Sequence, residues 1–346
     1  AGPRAPQSPI SATRTQENNL WIADGRHARM EKHLAKQIVK LLYAEPVLKW
    51  PKVDELEKLT DHQREKLPAI FTGNIGILGG SPGVGKSYVA AAIIRWFQQH
   101  TGASIGMCAP TGKAAVRLTE LLQKYQVNLF ATTIHSMLGV QSHSEDGSWE
   151  FVHDEKNPLG HDLIVADECS MNSCSLMNSL LSACKFGALI LLVGDINQLP
   201  PVDHGAPLRD MIAAGIPHCE LTEIIRQKNP GTIVETCHAI RQNNHFKFDD
   251  IVDAPNGKNL KIVHAKDGLE IQEKIIEQLN LVRIKTSYDP IWDIQIVSAV
   301  NENNPASRDH LNLKLQALLN PLSINSGQRF NKDDKIVCTK NSRVKI

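Results

Sequence analysis

The clearest chemical signal in this chain is a glycine-rich segment that reads GGSPGVGKS over residues 79–87. It contains the spacing Gly80-x-x-x-x-Gly85-Lys86-Ser87, which is the pattern of a phosphate-binding loop. Glycines allow backbone N–H groups to turn toward phosphate oxygens, and a helix that follows adds its positive end. We expect Lys86 to reach the β- and γ-phosphates of ATP and Ser87 to hold Mg²⁺. The expected nucleotide ligands in this segment are Gly80, Pro82, Gly83, Val84, Gly85, Lys86, Ser87 and Tyr88.

Two acidic residues, Asp167 and Glu168, follow the apolar run LIVA. Ligands of open α/β sheets bind beyond the carboxyl ends of the strands, where this pair would lie. We expect Asp167 to hold Mg²⁺, directly or through water, and Glu168 to orient and deprotonate an attacking water. Acidic pairs at strand ends are common, but together with the loop this pair predicts a hydrolase rather than a kinase, whose base would be aimed at a second substrate.

A third polar segment follows the apolar run that ends at Gly194-Asp195. Gln198 lies there, just before Leu-Pro-Pro. Its amide is suited to sensing whether a γ-phosphate is present, and a stiff loop is suited to transmitting the result. A proline-rich turn with a solvated glutamine fits the same residues, so chemistry alone leaves both interpretations open.

The elements that position these residues follow a simple rhythm. From residue 74 onward, short apolar runs alternate with helical patterns, which predicts a parallel, doubly wound α/β sheet. Residues 139–160 interrupt the rhythm, and Asp146-Gly147 between two β-like stretches predicts an inserted hairpin. Thr60 is a good N-cap for a helix that starts at Asp61.

Composition limits the function classes. The net charge of +1 is too small to indicate a nucleic-acid or membrane partner by itself. A basic groove on one part of the surface is still compatible with this net charge. No apolar run reaches the ~18 residues of a membrane helix, and residues 1–19 carry no secretory signal and are expected to be flexible. The seven cysteines form no C-x-x-C pair, which favours reduced, structural thiols in a cytoplasmic protein over metal ligands.

A polar stretch at 229–260 predicts a domain boundary. After it, we expect a buried strand at 291–300, a helix with Asn304 as its N-cap and Pro305 at its first position, and a last strand in DKIVCTK. Pro321 is expected to stop that helix. This second unit has few elements, and we expect the chain to be a piece of a longer protein.

Together these segments resemble superfamily 1 DNA helicases of the RecD-like branch. GGSPGVGKS is similar to the family's first motif, APTGKAAVRL to motif Ia, VADECSM to motif II, VGDINQLPPV to motif III and LTEIIRQ to motif IV. LTDHQ resembles the upstream adenine-recognition motif, and TTIHSML resembles a DNA-contact motif. The resemblance implies a RecA-like motor domain at 59–228 with the hairpin inserted, a helical segment at 20–58, and part of a second RecA-like domain at 229–346.

The resemblance also implies roles for single residues. Gln63 would read the adenine edge, and Arg226 would contact the γ-phosphate at the junction of the two motor domains. Thr111, Lys113 and His135 would lie at single-stranded DNA. Four of these five residues have a plainer interpretation: a surface glutamine for Gln63, a linker arginine for Arg226, a solvated lysine for Lys113 and a structural histidine for His135.

The expected function is therefore ATP-driven helicase or translocase activity on single-stranded or tailed duplex DNA, with a 5′-to-3′ polarity that comes from the family alone. Ser81 replaces the family's usual glycine, and motifs V and VI are expected beyond residue 340 and are absent. A nucleotide-gated DNA-binding subunit that does not unwind, and an unrelated transport or packaging ATPase, remain as alternatives.

Overall fold

The computed structural model of the protein describes residues 10–14, 20–143, 149–223, 225, 231–245, 253, 256–285, 287–321 and 334–335. The chain divides into two compact units, Ala1–Pro230 and Gly231–Ile346, and the division lies within the polar stretch 229–260. The strands are β1 (Ile10–Arg14), β2 (Leu20–Asp24), β3 (Ile75–Gly80), β4 (Ile105–Ala109), β5 (Thr132–Thr133), β6 (Val140–His143), β7 (Trp149–Phe151), β8 (Leu163–Ala166), β9 (Leu189–Gly194) and β10 (His218–Leu221). The α-helices are α1 (Gly25–Leu42), α2 (Asp61–Lys66), α3 (Lys86–His100), α4 (Gly112–Lys124), α5 (Ile134–Leu138), α6 (Cys174–Ser182), α7 (Pro207–Ala213), α8 (Gly231–Arg241), α9 (Gly268–Lys285) and α10 (Arg308–Leu319).

Six strands of the first unit form one sheet in the order β10-β3-β9-β8-β4-β5. Every neighbouring pair in it is parallel, so all six carboxyl ends lie at one edge. This confirms the predicted α/β fold. The strand order places β9 between the strand that precedes the phosphate-binding loop and the strand that precedes the acidic pair.

Helices cover both faces of this sheet because its central strands are apolar on both sides. Along β9, Leu189, Leu191 and Val193 are buried in one cluster with α3 and α4. Ile190 and Leu192, between them in sequence, are buried in a second cluster with α1 and α6. The alternation follows from the two-residue period of a strand and explains why these strands read as continuous apolar runs.

Helix starts follow their capping residues. The Asp24 carboxylate accepts hydrogen bonds from the backbone N–H groups of Arg26 (2.8 Å) and His27 (3.4 Å) and begins α1. Thr60 begins α2 as predicted, since its hydroxyl accepts from the Gln63 backbone N–H at 3.2 Å. The Gln63 side-chain oxygen returns the contact by accepting from the Thr60 N–H at 3.1 Å, which completes a capping box.

The inserted segment contains the antiparallel pair β6–β7, with Val140 opposite Phe151 and His143 opposite Trp149. The turn at Asp146-Gly147 lies outside the described residues. At the amino-terminal end, the expectation of a flexible segment is wrong for Ile10–Arg14. This strand pairs antiparallel with β2, with Ile10 opposite Asp24 and Arg14 opposite Leu20, so backbone hydrogen bonds between the two strands order it.

The described part of the second unit differs from the sequence prediction. Residues 291–300 form turns and irregular backbone rather than a buried strand, and Val297 is 84% exposed. A strand requires a neighbour that accepts its backbone hydrogen bonds, and the described residues of this unit contain no paired strand beyond an isolated bridge between Asp253 and Lys258. The predicted strand DKIVCTK lies mostly outside the described residues.

The helix predicted in this unit begins later than expected. Ser307, not Asn304, caps α10, and its hydroxyl accepts from the His310 N–H at 3.5 Å. Asn304 instead forms the preceding turn, where its side-chain oxygen accepts from the Ala306 N–H at 2.8 Å. The helix ends at Leu319, two residues before Pro321. No helix in the described part of the chain has the length and apolar character needed to cross a membrane.

Candidate nucleotide-binding site

The polar motifs follow the carboxyl ends of five strands of the parallel sheet. The glycine-rich loop follows β3, and the acidic pair follows β8. The segment that contains Gln198 follows β9, Thr111 follows β4, and His135 follows β5. Because the strands are parallel, the motifs lie along one edge of the sheet, which is where open α/β sheets bind ligands.

The loop between β3 and α3 takes a shape that requires glycine. Gly80, Gly83 and Gly85 have φ angles of +141°, +90° and +89°. A Cβ atom at Gly80 would lie 2.5 Å from the Leu221 carbonyl oxygen, and one at Gly85 would lie 2.8 Å from the Gln63 side-chain nitrogen. Side chains are excluded here both by backbone conformation and by space, which leaves the loop N–H groups accessible to phosphate oxygens.

Lys86 is the first residue of α3. Its Nζ atom donates hydrogen bonds to the carbonyl oxygens of Gly80 (2.6 Å) and Ser81 (3.1 Å). The ammonium group is therefore held over the loop itself. Phosphate oxygens of a nucleotide in this loop would offer it acceptors of full negative charge in place of neutral carbonyls.

The side chains expected to hold Mg²⁺ lie close together. The Ser87 hydroxyl donates to the Asp167 carboxylate at 3.5 Å. Asp167 is only 9% exposed, and burial raises the pKa of its carboxyl to about 6, although the Glu168 backbone N–H, 2.8 Å away, acts in the opposite direction. A buried carboxylate beside a hydroxyl is a donor set that suits a hard divalent cation.

Glu168 follows with a strained backbone. Its φ of +55° is unusual for a residue with a side chain, and it precedes the short 3₁₀ helix Cys169–Met171. Such strain is concentrated at functional sites because packing must maintain it.

The neighbouring Asn172 was not singled out from the sequence, yet it is fully buried and neither its amide oxygen nor its amide nitrogen has a hydrogen-bond partner in the described part of the chain.

Gln63 is buried against the loop, with 1% of its surface exposed. Its Nε2 atom donates to the Val84 carbonyl oxygen at 3.4 Å. The interpretation of Gln63 as a solvated surface glutamine is therefore wrong, because burial next to the loop replaces exposure on α2. Tyr88 on α3 is half-buried, and its hydroxyl donates to the Lys58 carbonyl oxygen at 3.1 Å.

Gln198 is exposed, and its backbone N–H donates to the Asp195 carbonyl oxygen at 3.1 Å. Asp195 itself is buried and accepts from the Asn197 N–H at 3.0 Å, which fixes the turn after β9. Leu199 is 87% exposed. No described contact joins the Gln198 side chain to the loop, so both interpretations of this residue remain open.

Three residues expected at DNA lie along the β4 and β5 side of the same edge. The Thr111 hydroxyl caps α4 by accepting from the Ala114 N–H at 3.2 Å, and Lys113 is exposed in the first turn. His135 is partly buried, and burial lowers its pKa. Its ring centroid lies 5.8 Å from that of Phe151, on the inserted hairpin.

Arg226 lies outside the described residues, so its placement stays a prediction. The segment that leads to it contacts the loop, because the Ile225 N–H donates to the Gly83 carbonyl oxygen at 3.0 Å. Just before it, the Thr222 N–H donates to His62 Nε2 at 3.2 Å. His62 and Ile225 lie within the segments LTDHQ and LTEIIRQ, but neither residue was singled out from the sequence.

A family model described as "AAA domain" matches residues 58–254, more than half of the chain. The chain belongs to the AAA domain family. The chain is 32% identical over 323 residues to the "ATP-dependent RecD2 DNA helicase" of Deinococcus radiodurans, and the alignment covers 92% of this chain and 41% of that protein. It is 26% identical over 313 residues to the "RecBCD enzyme subunit RecD" of Mycolicibacterium smegmatis, covering 84% of this chain and 56% of that protein. These relatives confirm the RecD-like resemblance.

The chain thus spans about half the length, or less, of the curated relatives it matches. Among solved structures, the Pif1 helicase from Candida albicans matches 67% of this chain and 56% of its own chain, with 20% identity and a TM-score of 0.41.

Proposed function

We propose that the chain is part of an ATP-driven motor that moves along single-stranded DNA and separates duplex strands. The observation that carries this proposal is the single sheet edge that holds the loop, the acidic pair and the expected DNA contacts. Because the nucleotide and the DNA would bind at the same sheet edge, hydrolysis of ATP would change how tightly the protein binds DNA. The relative named as an ATP-dependent DNA helicase supports the same activity.

The nucleotide chemistry would be carried by residues of the loop and the acidic pair. Loop N–H groups and Lys86 would hold the phosphates, while Ser87 and Asp167 would hold Mg²⁺. When bound, Mg²⁺ neutralises charge on the transferring phosphoryl group. Glu168 would accept a proton from the attacking water. The 3.5 Å contact between Ser87 and Asp167 supports the shared metal role.

Three further side chains would recognise the adenine base and detect the γ-phosphate. The buried amide of Gln63 can donate and accept at once, as reading an adenine edge requires. Gln198 and Arg226 would respond to the γ-phosphate, and the guanidinium fork of Arg226 suits the charge spread over its oxygens. The contact between Ile225 and the loop supports the assignment of Arg226.

DNA would lie along the β4 and β5 side of the edge. The Thr111 hydroxyl accepts one hydrogen bond in its cap and retains its own proton for a phosphate oxygen. The exposed Lys113 would add a charge contact, and His135 would lie nearby. The β6–β7 hairpin would act as the pin that splits the duplex, and movement would be 5′-to-3′; both follow from the family resemblance.

One experiment tests the proposal directly. ATP hydrolysis is measured with and without single-stranded DNA, and strand separation is measured on duplexes with a 5′ or a 3′ single-stranded tail. We expect hydrolysis to rise with DNA and separation to require the 5′ tail. If DNA stimulates hydrolysis but the duplex strands are not separated, the result would favour a nucleotide-gated DNA-binding subunit. If the rate of hydrolysis does not change when DNA is added, the result would favour an unrelated ATPase.

Replacing Lys86 with alanine provides the matching site test. DNA-stimulated hydrolysis should fall by about 10²-fold or more, because a charged donor at the transferring phosphoryl group is lost. Thermal unfolding should change little, since the two contacts that Lys86 makes on the loop are with neutral carbonyls. The exposed Lys49→Ala is the control for charge. Normal hydrolysis by Lys86→Ala would refute the site assignment.

A further inference from the structure

Three potential metal ligands meet on the face of the first unit that α1 and α6 cover. Glu31 lies on α1, Cys174 is the first residue of α6, and His204 lies between β9 and α7. One ligand atom from each, a carboxylate oxygen, Sγ and a ring nitrogen, lies within 4.8 Å of the other two. The three residues come from distant parts of the chain, so only the fold unites them.

The cluster is held by contacts of its own. His204 Nε2 and Glu31 Oε1 lie 2.8 Å apart, and the His27 ring stacks on the His204 ring with centroids 3.9 Å apart and planes within 7°. The Cys174 backbone N–H donates to the His204 carbonyl oxygen at 2.9 Å. The thiol is buried, while the Glu31 side chain is 53% exposed, which gives a cation a path from solvent.

Gly205 leaves the room that the thiol occupies. Its φ is +86°, and a Cβ atom on it would lie 2.3 Å from Cys174 Sγ. Any side chain here would displace the thiol from His204 and Glu31. The glycine therefore preserves the arrangement of the three ligand atoms.

The donor set selects a class of metal. Thiolate, imidazole and carboxylate together suit a borderline-soft ion such as Zn²⁺, and the two negative groups balance its charge. A tetrahedral site with bonds of about 2.0–2.3 Å has ligand atoms roughly 3.3–3.8 Å apart, so small side-chain rotations are sufficient. The geometry includes three protein ligands and leaves a fourth position for water.

We propose that Glu31, Cys174 and His204 form a binding site for a divalent transition-metal ion of the zinc class. The bound ion joins α1, the start of α6 and the segment that contains Gln198. The site uses none of the proposed nucleotide or DNA ligands, so it stands apart from the proposed motor function.

The test uses Co²⁺, whose bond to a thiolate produces an absorption band in the near ultraviolet. The reduced full chain, prepared without a polyhistidine tag, is titrated with Co²⁺ and then with competing Zn²⁺. We expect one equivalent of Co²⁺ with a thiolate band, and its displacement by Zn²⁺. Glu31→Gln, at an exposed position that should not disturb folding, should retain the band but weaken affinity on the order of tenfold.

Two cysteine variants separate this site from adventitious binding. Cys174→Ser should abolish the thiolate band, whereas Cys237→Ser, which removes an exposed thiol of the second unit, should leave it unchanged. Zn²⁺ should also raise the melting temperature of the unsubstituted chain but not that of Cys174→Ser. Absence of a stoichiometric band, its survival in Cys174→Ser, or its loss in Cys237→Ser would each overturn the proposal.

Discussion

At the scale of single residues, Gln63 combines two roles that can be separated. Its side-chain oxygen accepts from the Thr60 N–H in the capping box, and its amide nitrogen donates to Val84 in the loop. Burial leaves this amide little freedom, so it is held in one orientation beside the loop. A group fixed in this way discriminates between bases better than a mobile surface amide, because no rotamer entropy is lost on binding.

Gln63→Ala is expected to raise the KM for ATP about five- to tenfold, the effect of losing one neutral hydrogen bond, while the KM for GTP changes less. Thr60→Ala is the matched control, since it breaks the same capping box and costs about 1 kcal/mol of stability but keeps the amide. KM values for both nucleotides, measured in both variants, test this. An equal change in ATP preference in Thr60→Ala would show that the cap, not the amide, matters.

Lys113 permits a second residue-scale test. It lies exposed in the first turn of α4, while Lys124 lies exposed in the last turn of the same helix. If Lys113 contacts a phosphate, Lys113→Ala should weaken single-stranded DNA binding and reduce the slope of log affinity against log salt by about 0.7. Lys124→Ala should leave this slope unchanged. Fluorescence anisotropy titrations over a salt series decide the matter, and equal slopes in the two variants would contradict the assignment.

At the scale of elements, the turn from β3 into α3 depends on backbone conformation more than on side chains. Gly85 is the residue before α3 and has a φ of +89°. Gly102, after the same helix, has open space where a Cβ would be added. The two ends of α3 therefore differ in what they tolerate, although both carry glycine.

Gly85→Ala should lower the free energy of unfolding by about 1–2 kcal/mol because of its left-handed backbone, and should also weaken nucleotide binding by shifting Gln63. Gly102→Ala should change stability by no more than about 0.5 kcal/mol and leave nucleotide affinity intact. Urea denaturation and binding of a fluorescent ADP analogue measure the two effects. Comparable behaviour of the two variants would mean that the loop relaxes without strain.

At the scale of the whole molecule, the described buried apolar clusters belong to the first unit. One cluster lies with α3 and α4, and the other lies with α1 and α6. In the described part of the second unit, Leu279 and Leu311 are buried, while Trp292 is 70% exposed. Among the described residues, buried apolar contacts are therefore concentrated in the parallel sheet and its two layers of helices.

Residues 20–230 expressed alone should unfold cooperatively and bind the ADP analogue, because this unit contains both clusters and all described candidate nucleotide ligands. Circular dichroism melting and the same binding assay, each compared with the full chain, check this. A broad, non-cooperative transition would show that the unit needs the rest of the chain to fold.

The sequence by itself determined the chemistry that depends on local spacing. The glycines and Lys86-Ser87 occupy consecutive positions, Thr60 caps the helix that follows it, and apolar runs of strand length predict the parallel sheet. The strand predicted at 291–300 is not present in the structure. A strand depends on pairing with a neighbouring strand, and local composition does not provide that partner.

Only the tertiary structure decided which distant side chains meet. The 3.5 Å contact of Ser87 with Asp167 depends on the order β3-β9-β8, which differs from the order of these strands along the chain. From the sequence alone, Gln63 is predicted to be a surface residue, whereas in the structure it is buried against the loop. Cys174 is predicted to be a structural thiol, whereas packing places it beside Glu31 and His204. Packing between elements fixes such contacts, and the spacing of residues within one element carries no information about them.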